Sequence, residues 1–352
     1  MTKIVMLVNS KKYSGLENVA LSIMDKLKNE FEFVYVTQNG PIVDVLKEKK
    51  VNYYLIESMS IKEIKKMIKN ENPDIIHAHD FRASFVASLC KKNIPFISHL
   101  HNNPLWLKRI CPNSLAFLCS SIRADKILTV SDSVKDDFVF KNIVGKKFIN
   151  ISNPVDTSII RKSAGKTELA KKYDLISVAR LTEQKDPMRF VNIMENLKEI
   201  YSQIKVAWIG DGELEQEFLN AIENKGLSEN ISYLGFQKNP YKFMKQSSIF
   251  ILTSKWEGYG LVAFEALSLG LPCVVSKVGG LTGIVDNLCG ELCVTDDDFV
   301  NEVVNLLKNK NYYKQKSELA IEKSNKLDNH TKYYASIRKN YKELVVDTNV
   351  NN

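Results

Sequence analysis

Short runs of apolar residues alternate along this chain with longer stretches in which apolar positions recur every three or four residues, the pattern of strands and helices in a parallel, doubly wound sheet. Ile4 to Val8 reads as a strand, and Leu16, Val19, Ala20, Ile23 and Leu27 mark one face of the helix after it. Phe33 to Val36, Tyr53 to Ile56, Asp74 to His77, Phe96 to Leu100 and Ile127 to Val130 read as further strands. Together they predict a first Rossmann-like domain over residues 1–160. A polar, lysine-bearing stretch at Gly165 reads as a linker. The alternation then restarts with Leu175 to Ala179, Lys205 to Ile209, Ile231 to Leu234, Ile249 to Thr253 and Pro272 to Ser276, predicting a second Rossmann-like domain over residues 166–330. From Asp296 the chain is mostly helical and polar, and residues 331–352 are expected to form a helix that packs back on the first domain. The fold class is α/β, two doubly wound domains with C-terminal helices. No short fixed period recurs, which excludes a solenoid.

Composition agrees with two domains: 352 residues with 44% hydrophobic content suffice for two separate cores. No apolar run approaches the length of a membrane span, and Ile4 to Val8 is broken at once by Asn9, Ser10, Lys11 and Lys12. A cytoplasmic protein is expected, and six cysteines without C-x-x-C spacing read as reduced thiols. The net charge of +8 is unevenly spread: up to Gly165 there are 25 Lys and Arg against 16 Asp and Glu, and beyond it 24 against 25. Lys47, Lys49, Lys50, Lys62, Lys65, Lys66 and Lys69, with Lys91, Lys92, Lys108 and Arg109, suit either an anionic leaflet or acceptor or a plain solvated surface. Nucleic acid is not expected as a partner, because no aromatic and basic interleaving accompanies these lysines.

The densest chemical signal runs from Ser254 through Glu257, Gly258, Tyr259, Gly260, Leu261, Val262 and Glu265 to Pro272. It reads as strand, glycine loop, helix, strand. The loop lies at the carboxyl end of the strand, where the free N–H groups of a helix start point at an entering anion. Gly258 and Gly260 would let backbone approach a phosphate, Glu265 would accept hydrogen bonds from a ribose, and Glu257 on the loop would be free to face a sugar. Gly270 followed by Pro272 ends the helix.

Two glutamates with seven residues between them, flanked by Glu257-Gly258-Tyr259-Gly260 and Gly270-Leu271-Pro272, resemble the family 4 retaining glycosyltransferases. That resemblance implies a GT-B fold, two Rossmann-like domains facing a cleft. Val178-Ala179-Arg180 to Lys185 is similar to the family's G-R-x-x-x-x-K, with Ala179 in place of the glycine, and implies that Arg180 and Lys185 hold the donor diphosphate. Gly210-Asp211-Gly212 resembles the G-x-G turn expected to leave room for the nucleotide, and Leu234-Gly235-Phe236 the stretch whose backbone reads the base.

In the first half, Ser14-Gly15-Leu16-Glu17 stands where the family has G-G-x-E, implying a donor-phosphate role for Gly15; Ser14 and Glu17 read equally well as a helix capping box. Four of the five histidines fall between His77 and His101. The resemblance places His101 beside the transferred sugar and likens His79-Asp80-Phe81-Arg82 to a family stretch near the cleft, with His77 structural and Asn102 and Asn103 near the acceptor. The two H-x-H pairs raise a zinc hypothesis, but each pair is expected to divide between the two faces of its strand, so no metal or other cofactor is expected.

The resemblance implies a retaining hexosyltransferase that moves a sugar from a nucleotide-sugar, expected to be UDP-linked, to a glycan or lipid-linked acceptor in cell-surface polysaccharide synthesis. His101 and Glu257 are the candidate catalytic residues, and peripheral contact with the inner face of the plasma membrane is expected. No side chain is assigned as nucleophile. Rival readings are an inactive nucleotide-sugar-binding subunit, which need not keep Arg180, Lys185, Glu257 and Glu265 together, and a GT-B epimerase, which needs an acid and a base the sequence does not display.

Overall fold

The computed structural model describes residues 1–165 and 172–350, the last four by backbone alone. The described chain divides into two compact units, residues 1–154 with 330–352, and residues 155–329.

The first unit is built on a seven-stranded sheet: β1 (Thr2–Val8), β2 (Phe31–Gln38), β3 (Tyr53–Ile56), β4 (Ile75–His79), β5 (Phe96–Leu100), β6 (Lys126–Thr129) and β7 (Phe148–Asn150). Their order is β3-β2-β1-β4-β5-β6-β7, and every pairing is parallel. Both faces of such a sheet are covered, so its strands are apolar throughout; Ile4 to Val8 have no exposed surface. Helix α1 (Gly15–Leu27) follows β1, α2 (Ile61–Glu71) follows β3, and α3 (Asp80–Cys90) follows β4.

The second unit holds β8 (Tyr173–Val178), β9 (Val206–Ile209), β10 (Ile231–Tyr233), β11 (Ser247–Leu252), β12 (Cys273–Ser276) and β13 (Gly290–Cys293), ordered β10-β9-β8-β11-β12-β13 and again parallel. Its helices include α4 (Thr157–Ala164), α5 (Pro187–Ile200), α6 (Leu261–Ser268) and α7 (Lys310–Leu327). Strand order reverses direction between β1 and β4 in one unit and between β8 and β11 in the other. Carboxyl ends at such a reversal form the binding crevice of an open α/β sheet.

Three expectations are corrected. The boundary lies at Pro154 and Val155, about ten residues before the expected linker. Helix α4 belongs to the second unit: Asp156 caps it, Thr157 donates its backbone N–H to Asp328 at 2.9 Å, and Arg161 Nε donates to the Ser268 carbonyl at 3.0 Å. Gly165 accepts from Lys245 Nζ at 2.7 Å, and the rest of the expected linker, residues 166–171, lies outside the described residues. Strand β4 runs to His79 rather than ending at His77. The edge strands β7 (Phe-Ile-Asn) and β13 (Gly-Glu-Leu-Cys) were not among the strands expected from the sequence.

The last helix, α8 (His330–Val350), belongs to the first unit. Tyr333, Ile337, Tyr341 and Leu344 join the core formed by β1, β2 and α1, and Tyr341 meets Phe31 edge-on with ring centroids 5.3 Å apart. Arg338 donates to Glu30 at 2.7 Å.

Candidate functional site

In the second unit, the two motifs singled out in the sequence are stitched together at the carboxyl ends of β8 and β11. The Lys255 N–H donates to the Gln184 carbonyl at 2.8 Å, Gln184 Nε2 to the Trp256 carbonyl at 3.0 Å, and Thr253 Oγ1 to the carbonyls of Lys185 and Asp186 at 3.1 Å each. Lys185 Nζ is ion-paired with Glu257, whose Oε1 also accepts from Ser254 Oγ at 2.7 Å. Glu257 is therefore buried and committed, not free on its loop as expected; its second oxygen is the one left for a ligand. Ser254 is a site residue the family motif did not flag, although it lies one turn before Glu257. Arg180 is exposed, with no ion pair among the described residues, and so keeps its full donor fork.

Gly260 is the N-cap of α6, in the left-handed region at φ +96°, and a Cβ there would come within 2.6 Å of the Leu281 side chain. The N–H groups of Leu261 and Val262 follow it and precede the first intrahelical bond, which leaves them as donors for an anion. Burial pushes the Tyr259 phenol up to about 12, so it stays a neutral hydroxyl. Glu265 is half-buried and accepts from Tyr241 OH at 3.1 Å; burial raises its carboxyl to about 7 although the tyrosine bond pulls the other way.

Gly210 and Gly212 pack closely against the chain that follows β8. A Cβ on Gly210 would stand 2.2 Å from the Ala179 carbonyl oxygen, and on Gly212 2.2 Å from that of Leu181. At both positions the place of a Cβ is taken by backbone of the segment that follows β8. Gly235 uses its carbonyl to accept from the Gly210 N–H at 2.9 Å, and Phe236 is 65% exposed.

In the first unit the candidates gather at the ends of β1, β4 and β5. Gly15 is exposed in the first turn of α1, and the Glu17 carboxylate accepts from the Ser14 N–H at 2.8 Å and from Ser14 Oγ at 2.6 Å. Asp80, at φ +66°, accepts from the His101 N–H at 2.9 Å. Burial lifts the Asp80 carboxyl to about 7, and the charge of nearby Glu17 adds to that rise.

The histidine expectation is overturned. Strand side chains have period two, so residues i and i+2 share a face. His77 and His79 lie with ring centroids 4.4 Å apart, and His99 and His101 4.2 Å apart. His77, His79 and His99 each offer a nitrogen within 4.8 Å of the others, a spacing a metal ion could use. Both nitrogens of His77 are nevertheless engaged, with Tyr341 OH at 2.7 Å and His99 Nδ1 at 3.1 Å, so the cluster is a hydrogen-bonded one. Burial holds His101 down at about 3 and the other three well below their usual value, so all four rings are neutral. Asn103 is tied to the helical turn after β6: its amide reaches Ser133 and Asp137 at 3.4 and 3.3 Å.

Two parallel doubly wound units, the second with a cation pair and a helix start at its strand-order reversal, define a GT-B glycosyltransferase architecture. The description "Glycosyltransferase Family 4" matches residues 13–159, and "Glycosyl transferases group 1" matches residues 159–324. The chain belongs to the family 4 glycosyltransferases. An uncharacterized glycosyltransferase of Methanocaldococcus jannaschii is 30% identical over 260 residues, 66% of this chain and 62% of the relative, so the match spans under two thirds of that protein. The Escherichia coli UDP-Gal:alpha-D-GlcNAc-diphosphoundecaprenol alpha-1,3-galactosyltransferase is 24% identical over 84% of this chain and 86% of its own length. Among solved structures, Anabaena HepE in complex with UDP-glucose superimposes with a TM-score of 0.85 at 17% identity, covering 97% of this chain and 100% of that one.

Proposed function

We propose that this glycosyltransferase transfers a hexose from a UDP-linked donor, with retention at the anomeric carbon, to a lipid-linked or glycan acceptor in cell-surface polysaccharide synthesis. The observations that carry this reading are the Lys185–Glu257 pair on the loop that leads into α6, exposed Arg180 just after β8, and Glu265 within α6. A diphosphate leaving group develops negative charge, and fixed donors that meet it lower the barrier without reorganising. The Glu265 carboxylate suits ribose hydroxyls, His101 acts at the transferred sugar, and the donor contacts require no metal. The E. coli relative, whose name describes a UDP-galactose donor and a diphosphoundecaprenol-linked acceptor, supports the donor and acceptor classes.

The acceptor class also suits a protein working peripherally on the inner face of the plasma membrane. No described helix is long and apolar enough to cross a membrane, while α2 exposes Lys62, Lys65, Lys66 and Lys69 and buries Ile64 and Met67. The test of the whole reading is a panel of nucleotide-sugars. A donor present at a hundred times its dissociation constant stabilises the fold by about 2.7 kcal/mol, and UDP-hexoses are expected to raise the melting temperature above GDP-linked sugars. The anomeric configuration of the product, read by NMR, decides the stereochemistry: an inverted product overturns retention.

A further inference from the structure

Glu257 is the only acidic residue in the loop between β11 and α6, and the main chain on both sides of it is pinned. Before it, Thr253 Oγ1 donates to the Lys185 and Asp186 carbonyls at 3.1 Å each, and the Lys255 N–H donates to the Gln184 carbonyl at 2.8 Å. Gln184 Nε2 in turn reaches the Trp256 carbonyl at 3.0 Å, and the Glu257 carbonyl itself accepts from the Gly280 N–H at 3.2 Å. Ser254 stands between two of these held residues, is 1% exposed, and donates from Oγ to Glu257 Oε1 at 2.7 Å. Lys185 Nζ is ion-paired with the same oxygen. Glu257 Oε2 has no hydrogen-bond partner among the described residues, and it is not sealed from solvent.

The two donors to Oε1 fix different things. An ammonium on a flexible four-carbon stem is a point charge, so it neutralises the carboxylate but leaves its rotation open. A serine hydroxyl hangs on a single side-chain torsion with a few staggered positions, and here its backbone is held. The loop therefore sets the direction from which Ser254 Oγ reaches Oε1. A carboxylate held at one oxygen from a fixed direction presents its other oxygen in a fixed direction too. Paired with an ammonium it can only accept, so Oε2 suits a hydroxyl and repels another acceptor.

We infer that Ser254 is a positioning residue: it fixes the Glu257 carboxylate so that Oε2 meets the donor sugar and accepts from one of its hydroxyls. This rests on the reading above, in which the loop before α6 takes the donor, but the hold of Ser254 on Glu257 is measurable with no donor present.

The test uses the full chain, wild type and the variants Ser254→Ala, Ser254→Thr, Lys185→Ala and Glu257→Ala with their double variants, each checked for folding by its thermal transition. Without ligand, Ser254→Ala and Lys185→Ala together should cost more stability in urea unfolding than the two changes summed. Only the double variant leaves the buried carboxylate with neither donor. In transfer from the UDP-hexose that stabilises the fold most, Ser254→Ala should lower kcat/KM about 10- to 100-fold, the loss expected for one hydrogen bond to a charged group. Ser254→Thr keeps the hydroxyl and should recover most of that loss. Calorimetry should find the same UDP affinity in wild type and Ser254→Ala, since UDP lacks the transferred sugar that Glu257 meets. Ser254→Ala combined with Glu257→Ala should be no slower than Glu257→Ala alone. Unchanged kcat/KM in Ser254→Ala, a fall in UDP affinity as large as the fall in kcat/KM, or additive losses in either double variant overturns the inference. Stability losses that couple as expected in a protein that transfers no hexose overturn the functional reading and leave the hold of Ser254 on Glu257 in place.

Discussion

Lys185 and Arg180, proposed together to hold the donor diphosphate, differ in their surroundings. The Lys185 side chain is 14% exposed and is paired with Glu257 at 7%, whereas Arg180 is exposed and unpaired among the described residues. Arg180→Ala is expected to lower kcat about 10²- to 10³-fold with an unchanged melting temperature, as for loss of one transition-state donor. Lys185→Ala should lower kcat similarly and also destabilise the fold, because a buried carboxylate is left without its partner. Normal turnover in both variants would end the assignment. Glu265, raised to about 7, gives a pH dependence of known sign. In the proposed role ribose hydroxyls donate to the ionised carboxylate, so UDP affinity measured by calorimetry should rise from pH 6 to pH 8 and level off above. Glu265→Gln should bind more weakly and lose that slope. These residue types and their spacing were legible in the sequence. The Lys185 bond to Glu257 was not, since it joins side chains 72 positions apart whose distance depends on the register of β8 against β11.

At the level of elements, the candidate site residues lie where each sheet reverses strand order, and close backbone packing shapes the end of β8. Gly210 stands at φ +122° with the Ala179 carbonyl filling the place of a Cβ. Gly210→Ala is therefore expected to destabilise the protein by more than the ~1–2 kcal/mol that a left-handed conformation alone costs an L-residue. Urea unfolding should show a lower midpoint with an unchanged slope. The long central strands and the glycine loop after β11 could be read in sequence because each is contiguous and strongly apolar. Edge strands β7 and β13 were not read, although edge strands β3 and β10 are as short and were. The histidine pairs failed for a physical reason: correct use of the two-residue period puts His77 with His79 on one face, and only then does the contact with β5 become imaginable.

For the molecule as a whole, the chain closes on itself. Helix α8 returns from the end of the sequence to the first unit, and that unit then holds 27 Lys and Arg against 17 Asp and Glu, +10 net, leaving −2 for residues 155–329. Tyr341 is fully buried among Met6, Phe31, Phe33 and His77. Tyr341→Ala should cost about 3–5 kcal/mol, the range for truncating a buried aromatic, and calorimetry should place that loss in the first unit's transition. The basic surface makes a separate prediction. Replacing Lys62, Lys65, Lys66 and Lys69 by Ala should weaken sedimentation with phosphatidylserine vesicles by roughly 1 kcal/mol per lysine, and high salt should abolish the wild-type binding. Equal binding by the variant would make α2 a plain solvated surface.

The sequence by itself determined the class: two doubly wound units, and a donor motif compact enough to be read along a single stretch of chain. These are local patterns, and apolar periodicity with loop glycines expresses them directly. Tertiary structure alone decided the unit boundary at Pro154, the pairing of Lys185 with Glu257 across 72 positions, and the contact of His77 with Tyr341 across 264. Each depends on which strands become neighbours and in what register, and no run of residues carries that information by itself.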